Sequence, residues 1–156
     1  VARALATRAD LHADGPGPAL TVVTNALNIA NELTVRPHVK IVVTGGVARP
    51  QSYELIGPMA TGILQQLALD VAFLGVDALD ARLGASAHHE GEADINRLMA
   101  SRAQKLIIVA DSSKLGARAF ARICGLEDID AVITDTGASA EAVAALEEAG
   151  VEVTRV

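Results

Sequence analysis

Short apolar runs rich in β-branched residues recur along this chain and alternate with stretches whose apolar residues are three or four positions apart. Runs of the first kind are typical of strands covered on both faces, and stretches of the second kind are typical of amphipathic helices. Because the two kinds alternate, we predict an α/β fold with a mainly parallel sheet, right-handed crossovers and helices on both faces. The predicted strands are residues 20–24, 38–44, 70–76, 106–110, 129–134 and, at an edge, 151–156.

The helix-like stretches have recognisable first and last residues. Asn25 precedes one of them, and its side chain is predicted to cap the exposed amides. Pro58 interrupts another, so the main helix there is predicted to begin at about Met59. Ser139 is predicted to cap the last helix, which Gly150 closes. Two more helices are predicted over residues 1–11 and 93–103.

The segments between these elements carry turn-forming or mixed sequence. Residues 14–18 (DGPGP) are predicted to form a loop, and residues 47–53 are predicted to be irregular. A loop or a short hairpin is expected over residues 81–87. Residues 119–126 mix the two patterns and are interpreted as a short strand.

Composition and charge narrow the class of protein. The 156 residues are 51% hydrophobic and only 2% aromatic, which predicts one domain over residues 1–156 with an aliphatic core. The net charge of −6 argues against nucleic-acid binding by this segment, because neutralising phosphates requires a basic surface. The single cysteine, Cys124, excludes an intrachain disulfide and is interpreted as a small buried hydrophobe. No apolar run reaches membrane-spanning length, and we expect a cytoplasmic protein without membrane contact.

Residues that could bind a ligand lie where the predicted strands end. Ligands of open parallel sheets bind outside the carboxyl ends of the strands. The strand at residues 106–110 leads into an Asp-Ser-Ser-Lys turn, from Asp111 to Lys114, whose groups suit an anionic, hydroxylated ligand. In the alternative interpretation, Asp111 or the serine after it caps a turn and Lys114 is solvated. Gly45 and Gly46 follow the second strand, where glycine lets the backbone come close to a ligand.

Two further groups of polar residues allow both a functional and a structural interpretation. Asp77 and Asp80 follow the third strand and could act as acid and base, but acidic residues are also ordinary turn formers. Residues 88–92 (HHEGE) carry histidines and carboxylates that could bind a metal ion. Their spacing is not H-E-x-x-H, and adjacent histidines in an extended segment point to opposite sides, so no metal and no cofactor are predicted.

The order of these landmarks resembles the carboxyl-terminal effector domain of the DeoR family of bacterial transcriptional repressors. The resemblance extends from about residue 21 to residue 156 and rests on the segments VVTNALNIANEL, VVTGG, DVAFLGVDAL, EADINRLM, VADSSKLGARAF and DAVITDT. It implies a Rossmann-like fold similar to that of sugar-phosphate isomerases, in a domain that senses a phosphorylated sugar or a related metabolite. It also implies that the effector pocket is surrounded by Thr24, Asn25, Gly45, Gly46, Asp77, Glu92 and Lys114.

The resemblance also implies partners and further segments of the protein. DNA is expected to be bound only by a separate amino-terminal winged helix-turn-helix, and the domain is expected to form a homo-oligomer that brings at least two such heads to an operator. Members of the family usually carry an Asp-x-Gly-Thr-Thr phosphate loop, which is expected upstream of Val1 together with the DNA-binding domain. In the helix after Glu92, the family commonly has a lysine where this chain has Asn96.

Two other functions stand as alternatives. Ribose-5-phosphate isomerase has a related fold and a catalytic glutamate, but Asn96 occupies about the position where that glutamate is expected, which disfavours an isomerase. The third interpretation is an assembly module with an empty pocket. A screen for turnover of pentose phosphates and for ligand-induced thermal shifts would separate the three.

Overall fold

The computed structural model describes residues 1–8, 11 and 18–156. The chain divides into two compact units, Val1–Ile63 and Leu64–Val156. Residues 14–17 of the predicted loop and residues 9 and 10 of the first predicted helix lie outside the described residues. Within the described ranges, none of the helices is both long enough and apolar enough to span a bilayer.

The first unit contains a parallel pair of strands and an antiparallel hairpin. Strands β1 (Leu20–Thr24) and β2 (Val39–Val43) pair in parallel along their whole length. The hairpin pairs β3 (Val47–Arg49) with β4 (Glu54–Ile56). Ala30 and Leu33 are three positions apart and both buried, as expected for the inner face of an amphipathic helix. The helices of this part of the chain are α1 (Ala2–Thr7), α2 (Leu27–Thr34) and α3 (Pro58–Leu64).

The second unit is built on a four-stranded parallel sheet. Its strands are β5 (Leu69–Gly75), β6 (Ala78–Asp80), β7 (Gly84–Ala87), β8 (Ala103–Val109), β9 (Ala121–Cys124), β10 (Ala131–Thr134) and β11 (Glu152–Arg155). The parallel sheet has the order β11–β10–β8–β5, with β11 at an edge as predicted. Leu74, Ile108 and Val132 lie side by side across three of its strands and are at most 3% exposed. The twofold alternation along each strand places this row in the core.

A smaller antiparallel sheet of order β6–β7–β9 belongs to the same unit. Its first two strands form a hairpin that begins at Ala78, three residues before the segment 81–87 in which a loop or a short hairpin was expected. Strand β9 confirms the short strand predicted in residues 119–126. Gly84 starts β7 with a φ angle of +81°. A Cβ atom on this residue would lie 2.2 Å from the carbonyl oxygen of Cys124, so only glycine fits between β7 and β9.

Two helices complete the second unit, α4 (Glu90–Arg102) and α5 (Ala140–Glu148). Helix α4 buries Ala93, Ile95, Asn96 and Met99, which lie at the spacing expected for one helical face. Helix α5 confirms its predicted cap, because the Ser139 hydroxyl accepts a hydrogen bond from the backbone amide of the third helical residue at 3.1 Å.

All six predicted strands are confirmed with small shifts at their ends. Two local predictions, a helix cap at Asn25 and an irregular segment over residues 47–53, are wrong. Asn25 does not cap α2, because the N-cap residue is Ala26, whose side chain cannot accept a hydrogen bond from the first helical amides. Helix α3 begins at Pro58, within one residue of the predicted start at about Met59, since proline has no amide hydrogen to lose and suits the first helical position. Residues 47–53 are not wholly irregular, since the first three form β3 by pairing with β4, a partner that the local sequence does not reveal.

Candidate functional site

In the first unit, the four predicted effector residues lie at the carboxyl ends of β1 and β2. The backbone amide of Thr44 donates to the carbonyl oxygen of Thr24 at 3.1 Å, which extends the parallel pairing one residue beyond β2. Asn25 follows Thr24, and Gly45 and Gly46 follow Thr44. The structure therefore brings the two predicted pairs to one edge of the same two-stranded sheet.

Thr24 and Asn25 are almost fully buried, with 5% and 6% of their surface exposed. The Thr24 hydroxyl accepts a hydrogen bond from the amide of Ala26 at 3.0 Å. The side-chain amide of Asn25 donates to Oε2 of Glu54 at 3.3 Å and to the carbonyl oxygen of Leu55 at 3.5 Å. Both side chains thus hold the β1 end in place, Thr24 at the turn into α2 and Asn25 against β4. Effector binding by these residues stays a prediction.

The two glycines differ in their surroundings although both have positive φ angles. Gly45 has a φ of +74°, and a Cβ atom there would meet no atom of the described residues within 4 Å. Gly46 has a φ of +116°, and its Cβ would lie 2.7 Å from the Ile56 carbonyl oxygen and 2.9 Å from Cβ of Ala60. Gly46 is therefore required by packing, whereas the backbone at Gly45 leaves open space that a ligand could occupy.

In the second unit, the carboxyl ends of β5, β8 and β10 are adjacent, because Gly75 and Ile133 pair with Val109 from its two sides. Asp77 follows β5, the Asp-Ser-Ser-Lys turn follows β8, and Asp135 follows β10. The edge where parallel sheets bind ligands thus carries Asp77 and the Asp-Ser-Ser-Lys turn, as expected. It also carries Asp135, which was not predicted as a functional residue although it directly follows a predicted strand.

Two carboxylates hold the Asp-Ser-Ser-Lys turn, in which Ser112–Lys114 form one turn of 3₁₀ helix. Oδ1 of Asp111 accepts hydrogen bonds from the amide of Ser113, at 2.9 Å, and from the Ser113 hydroxyl. Oδ2 of Asp135 accepts from the amide of Ser112 at 2.6 Å. The capping interpretation of Asp111 is therefore confirmed, and the neighbouring strand β10 supplies a second anchor.

These hydrogen bonds fix the charge state of the turn. The Ser113 hydroxyl, followed by the Ser113 amide, holds the pKa of Asp111 below its ordinary value. The Ser112 amide does the same for the pKa of Asp135. Both groups therefore stay ionised hydrogen-bond acceptors near neutral pH. In contrast, the half-buried Lys114 makes no side-chain hydrogen bond or salt bridge to any residue that the structure describes, which leaves its three N–H donors for a ligand.

Asp77 and Glu92 lie close to the start of α4. Oδ2 of Asp77 accepts from the backbone amide of His88 at 2.8 Å, two residues before the helix. Glu92 lies in the first turn, where a carboxylate interacts favourably with the helix dipole. Nδ1 of His89 accepts from the amide of Gly91 at 3.1 Å and so caps the helix. Among the described residues, no group of three or more histidine, cysteine, aspartate or glutamate side chains is arranged to bind a metal ion.

A cleft of about 380 Å³ lies next to the turn in the second unit, lined in part by Leu115, Gly116 and Arg118. Its wall contains an ion pair between Nε of Arg118 and Oδ2 of Asp80 at 2.9 Å. Oδ1 of Asp80 also accepts from the amide of Arg82 at 2.8 Å, the main cause of its lowered pKa. Asp80 is therefore a turn former rather than a proton donor. None of the predicted effector residues lines this cleft.

Cys124 lies buried in β9, and desolvation raises the pKa of its thiol to about 11. A thiol with this pKa is almost entirely protonated at neutral pH and is a poor nucleophile. The interpretation of Cys124 as a small buried hydrophobe is therefore confirmed.

Comparison with known proteins gives one family. Residues 4–136 match the family model described as the DeoR C-terminal sensor domain. Over 131 residues, 84% of this chain, it is 41% identical to a putative aga operon transcriptional repressor of Escherichia coli O157:H7 and 39% identical to the HTH-type transcriptional regulator GlpR of Haloferax volcanii. Over 74% of the chain it is 30% identical to the glycerol-3-phosphate regulon repressor of Escherichia coli K12. These matches cover 49%, 51% and 46% of the relatives, so the chain spans about half of their length.

Proposed function

This chain belongs to the DeoR family of transcriptional regulators as a carboxyl-terminal sensor domain, and from this premise we propose that it binds a phosphorylated sugar or a related metabolite without converting it. Lys114 is the proposed phosphate partner. The observation that carries this proposal is an ammonium group without a partner among the described residues. It lies on a turn that two ionised carboxylates, Asp111 and Asp135, hold at the ligand-binding edge of the parallel sheet.

The proposed ligand class is also supported by the relatives. One relative is named for the glycerol-3-phosphate regulon, so at least one protein with this kind of sensor is linked by name to a small phosphorylated polyol. Glu92 is proposed to accept a hydrogen bond from a sugar hydroxyl.

Binding without turnover is supported by the state of the carboxyl groups. A general acid or base that works near neutral pH needs a pKa raised toward that range. The carboxyl groups of Asp80, Asp111 and Asp135 instead have lowered pKa values. The main cause is a hydrogen bond from a backbone amide at Asp80 and Asp135, and the hydrogen bond from the Ser113 hydroxyl at Asp111. Asn96 stands at about the position where a catalytic glutamate of an isomerase is expected, and its side chain does not titrate.

Isothermal titration calorimetry with glycerol 3-phosphate and with glucose 6-phosphate tests the proposal on the parent protein, Lys114→Ala and Lys105→Ala. Lys105 is a matched control, since it is an exposed lysine nearer the opposite end of β8. We expect Lys114→Ala to weaken binding by about tenfold or more, as for loss of a charge-assisted hydrogen bond, and Lys105→Ala to bind like the parent. Equal affinity of the three proteins would show that Lys114 is not part of the site. Turnover of either compound would refute binding without conversion.

The proposed partners of the whole protein are DNA and further copies of the chain. A segment with a net charge of −6 is poorly suited to bind DNA, so we propose that a separate winged helix-turn-helix does so and that the sensor self-associates to space at least two such heads. Operator titrations of the full-length protein with and without the two phosphates test this coupling. Operator affinity that is independent of both compounds, or a monomeric mass in light scattering at all concentrations, would contradict it.

A further inference from the structure

Phe120 is the most exposed large hydrophobic residue in the described parts of the chain. It is 84% exposed and directly precedes β9. Leu83, in the turn between β6 and β7, is 52% exposed and lines the same groove, which has a volume of about 300 Å³. The groove is also lined by Arg82, Arg118 and Arg122. Aromatic residues and arginine are enriched in protein–protein interfaces, so the composition of this groove is that of an interface.

A cleft with a largely apolar lining adjoins the groove. It is the cleft of about 380 Å³ beside the Asp-Ser-Ser-Lys turn, and α5 forms one of its sides. The cleft and the groove have Asp80, Arg82 and Arg118 in common. A projecting aromatic side chain and an open cleft thus lie side by side on one surface of the second unit. The apolar residues of the cleft are Leu79, Ala81, Leu115, Ala142, Ala145 and Leu146.

The cleft also has an unpaired charge on each of two sides. Arg82 follows β6 on one side, and Glu141 lies in the first turn of α5 on the other. Neither side chain forms an ion pair with any residue that the structure describes. If a second copy faces the cleft across a twofold axis, each arginine meets the glutamate of the other copy. The charges are therefore complementary to those of the same surface on another copy.

We propose that this surface is the interface between two copies of the chain, in which Phe120 of each copy enters the cleft of the other. The inference rests on the proposed self-association and names the surface that carries it. A twofold interface uses the same patch on both copies, so the patch must contain both a projection and the cleft that receives it. This surface contains both. A standard interface buries about 800 Å² per partner, so the cleft and the groove form its centre and flanking residues complete it.

The first test removes the projecting side chain. Sedimentation equilibrium over a series of concentrations gives the dimer dissociation constant of the parent, Phe120→Ala and Met59→Ala. Met59 is the matched control, since it is a 69% exposed apolar residue of α3 that lines neither the cleft nor the groove. We expect Phe120→Ala to weaken the dimer by about tenfold or more, because it truncates an aromatic anchor at the centre of the interface. Met59→Ala is expected to dimerise like the parent.

The second test reverses the two charges. Arg82→Glu and Glu141→Arg each place like charges opposite one another in the dimer and are expected to weaken it several-fold. The double variant Arg82→Glu, Glu141→Arg places opposite charges together again, so it is expected to dimerise more tightly than either single variant. Because the two residues are not paired within one copy, this recovery reports a contact between copies. Circular dichroism of each variant shows that it is folded.

Two results would overturn the inference while leaving the proposed function intact. One is parent-like dimerisation of Phe120→Ala. The other is a double variant that dimerises no better than the single variants. A parent that stays monomeric at every concentration would refute self-association and this interface together. Calorimetry with glycerol 3-phosphate then still tests the proposed ligand binding by itself.

Discussion

Gly46 offers a test of why a pair of glycines follows β2. Replacing it with alanine forces a side chain onto a residue with a φ angle of +116°. The new Cβ would lie 2.7 Å from the carbonyl oxygen of Ile56 in β4 and 2.9 Å from the Cβ of Ala60 in α3. Both neighbours are backbone or are fixed to it, so they cannot move aside at little cost. Gly45→Ala is the matched control, because its Cβ would lie more than 4 Å from every atom in the part of the chain that the structure describes.

The expected loss of stability follows from two terms. A positive φ angle costs an alanine about 1–2 kcal/mol, and forcing an extra carbon into a packed site costs about 1–3 kcal/mol more. Alanine offsets roughly 0.4–1 kcal/mol of this by reducing the entropy of the unfolded chain. Gly46→Ala should therefore lower the free energy of unfolding by roughly 2–4 kcal/mol, whereas Gly45→Ala lacks the packing term and should lower it by about 1 kcal/mol or less.

Urea unfolding followed by circular dichroism measures both variants against the parent. The reasoning requires Gly46→Ala to shift the midpoint further than Gly45→Ala without changing the slope of the transition. Equal shifts would refute it, because they would show that backbone conformation alone decides the effect.

Three further predictions follow from single contacts. The folded pKa of Asp80 lies below the ordinary value of 3.8, so its hydrogen bonds from Arg82 and Arg118 stabilise the fold above about that pH. This contribution is lost as the pH falls through the folded pKa. The difference in stability between the parent and Asp80→Asn should thus be constant from about pH 7 to 5 and shrink below about pH 4 in acid titrations. Ser139→Ala should lower the free energy of unfolding by about 1 kcal/mol through loss of the α5 cap, and an unchanged urea midpoint would contradict this. Cys124, with a thiol pKa of about 11, should react with a disulfide reagent at neutral pH only after unfolding, so rapid reaction of the native protein would be the contrary result.

The sequence by itself determined the elements whose signals are local. Apolar runs fixed the six main strands, because a strand covered on both faces needs an uninterrupted apolar segment. Ser139 and Gly150 marked the two ends of α5, since a hydroxyl cap and a glycine with positive φ act on their own helix. The order of the landmark segments was sufficient to identify the family, which the comparisons confirm.

Only the tertiary structure decided which partner each polar group takes. Asn25 looked like a helix cap, but the distant strand β4 offers Glu54 and Leu55 as better partners for its amide. Asp135 anchors the Asp-Ser-Ser-Lys turn from the neighbouring strand, a contact between residues 23 positions apart. Gly45 and Gly46 are equivalent in the sequence, yet one faces open space and the other faces backbone. These outcomes depend on pairing between segments remote in sequence, which local pattern and propensity do not encode.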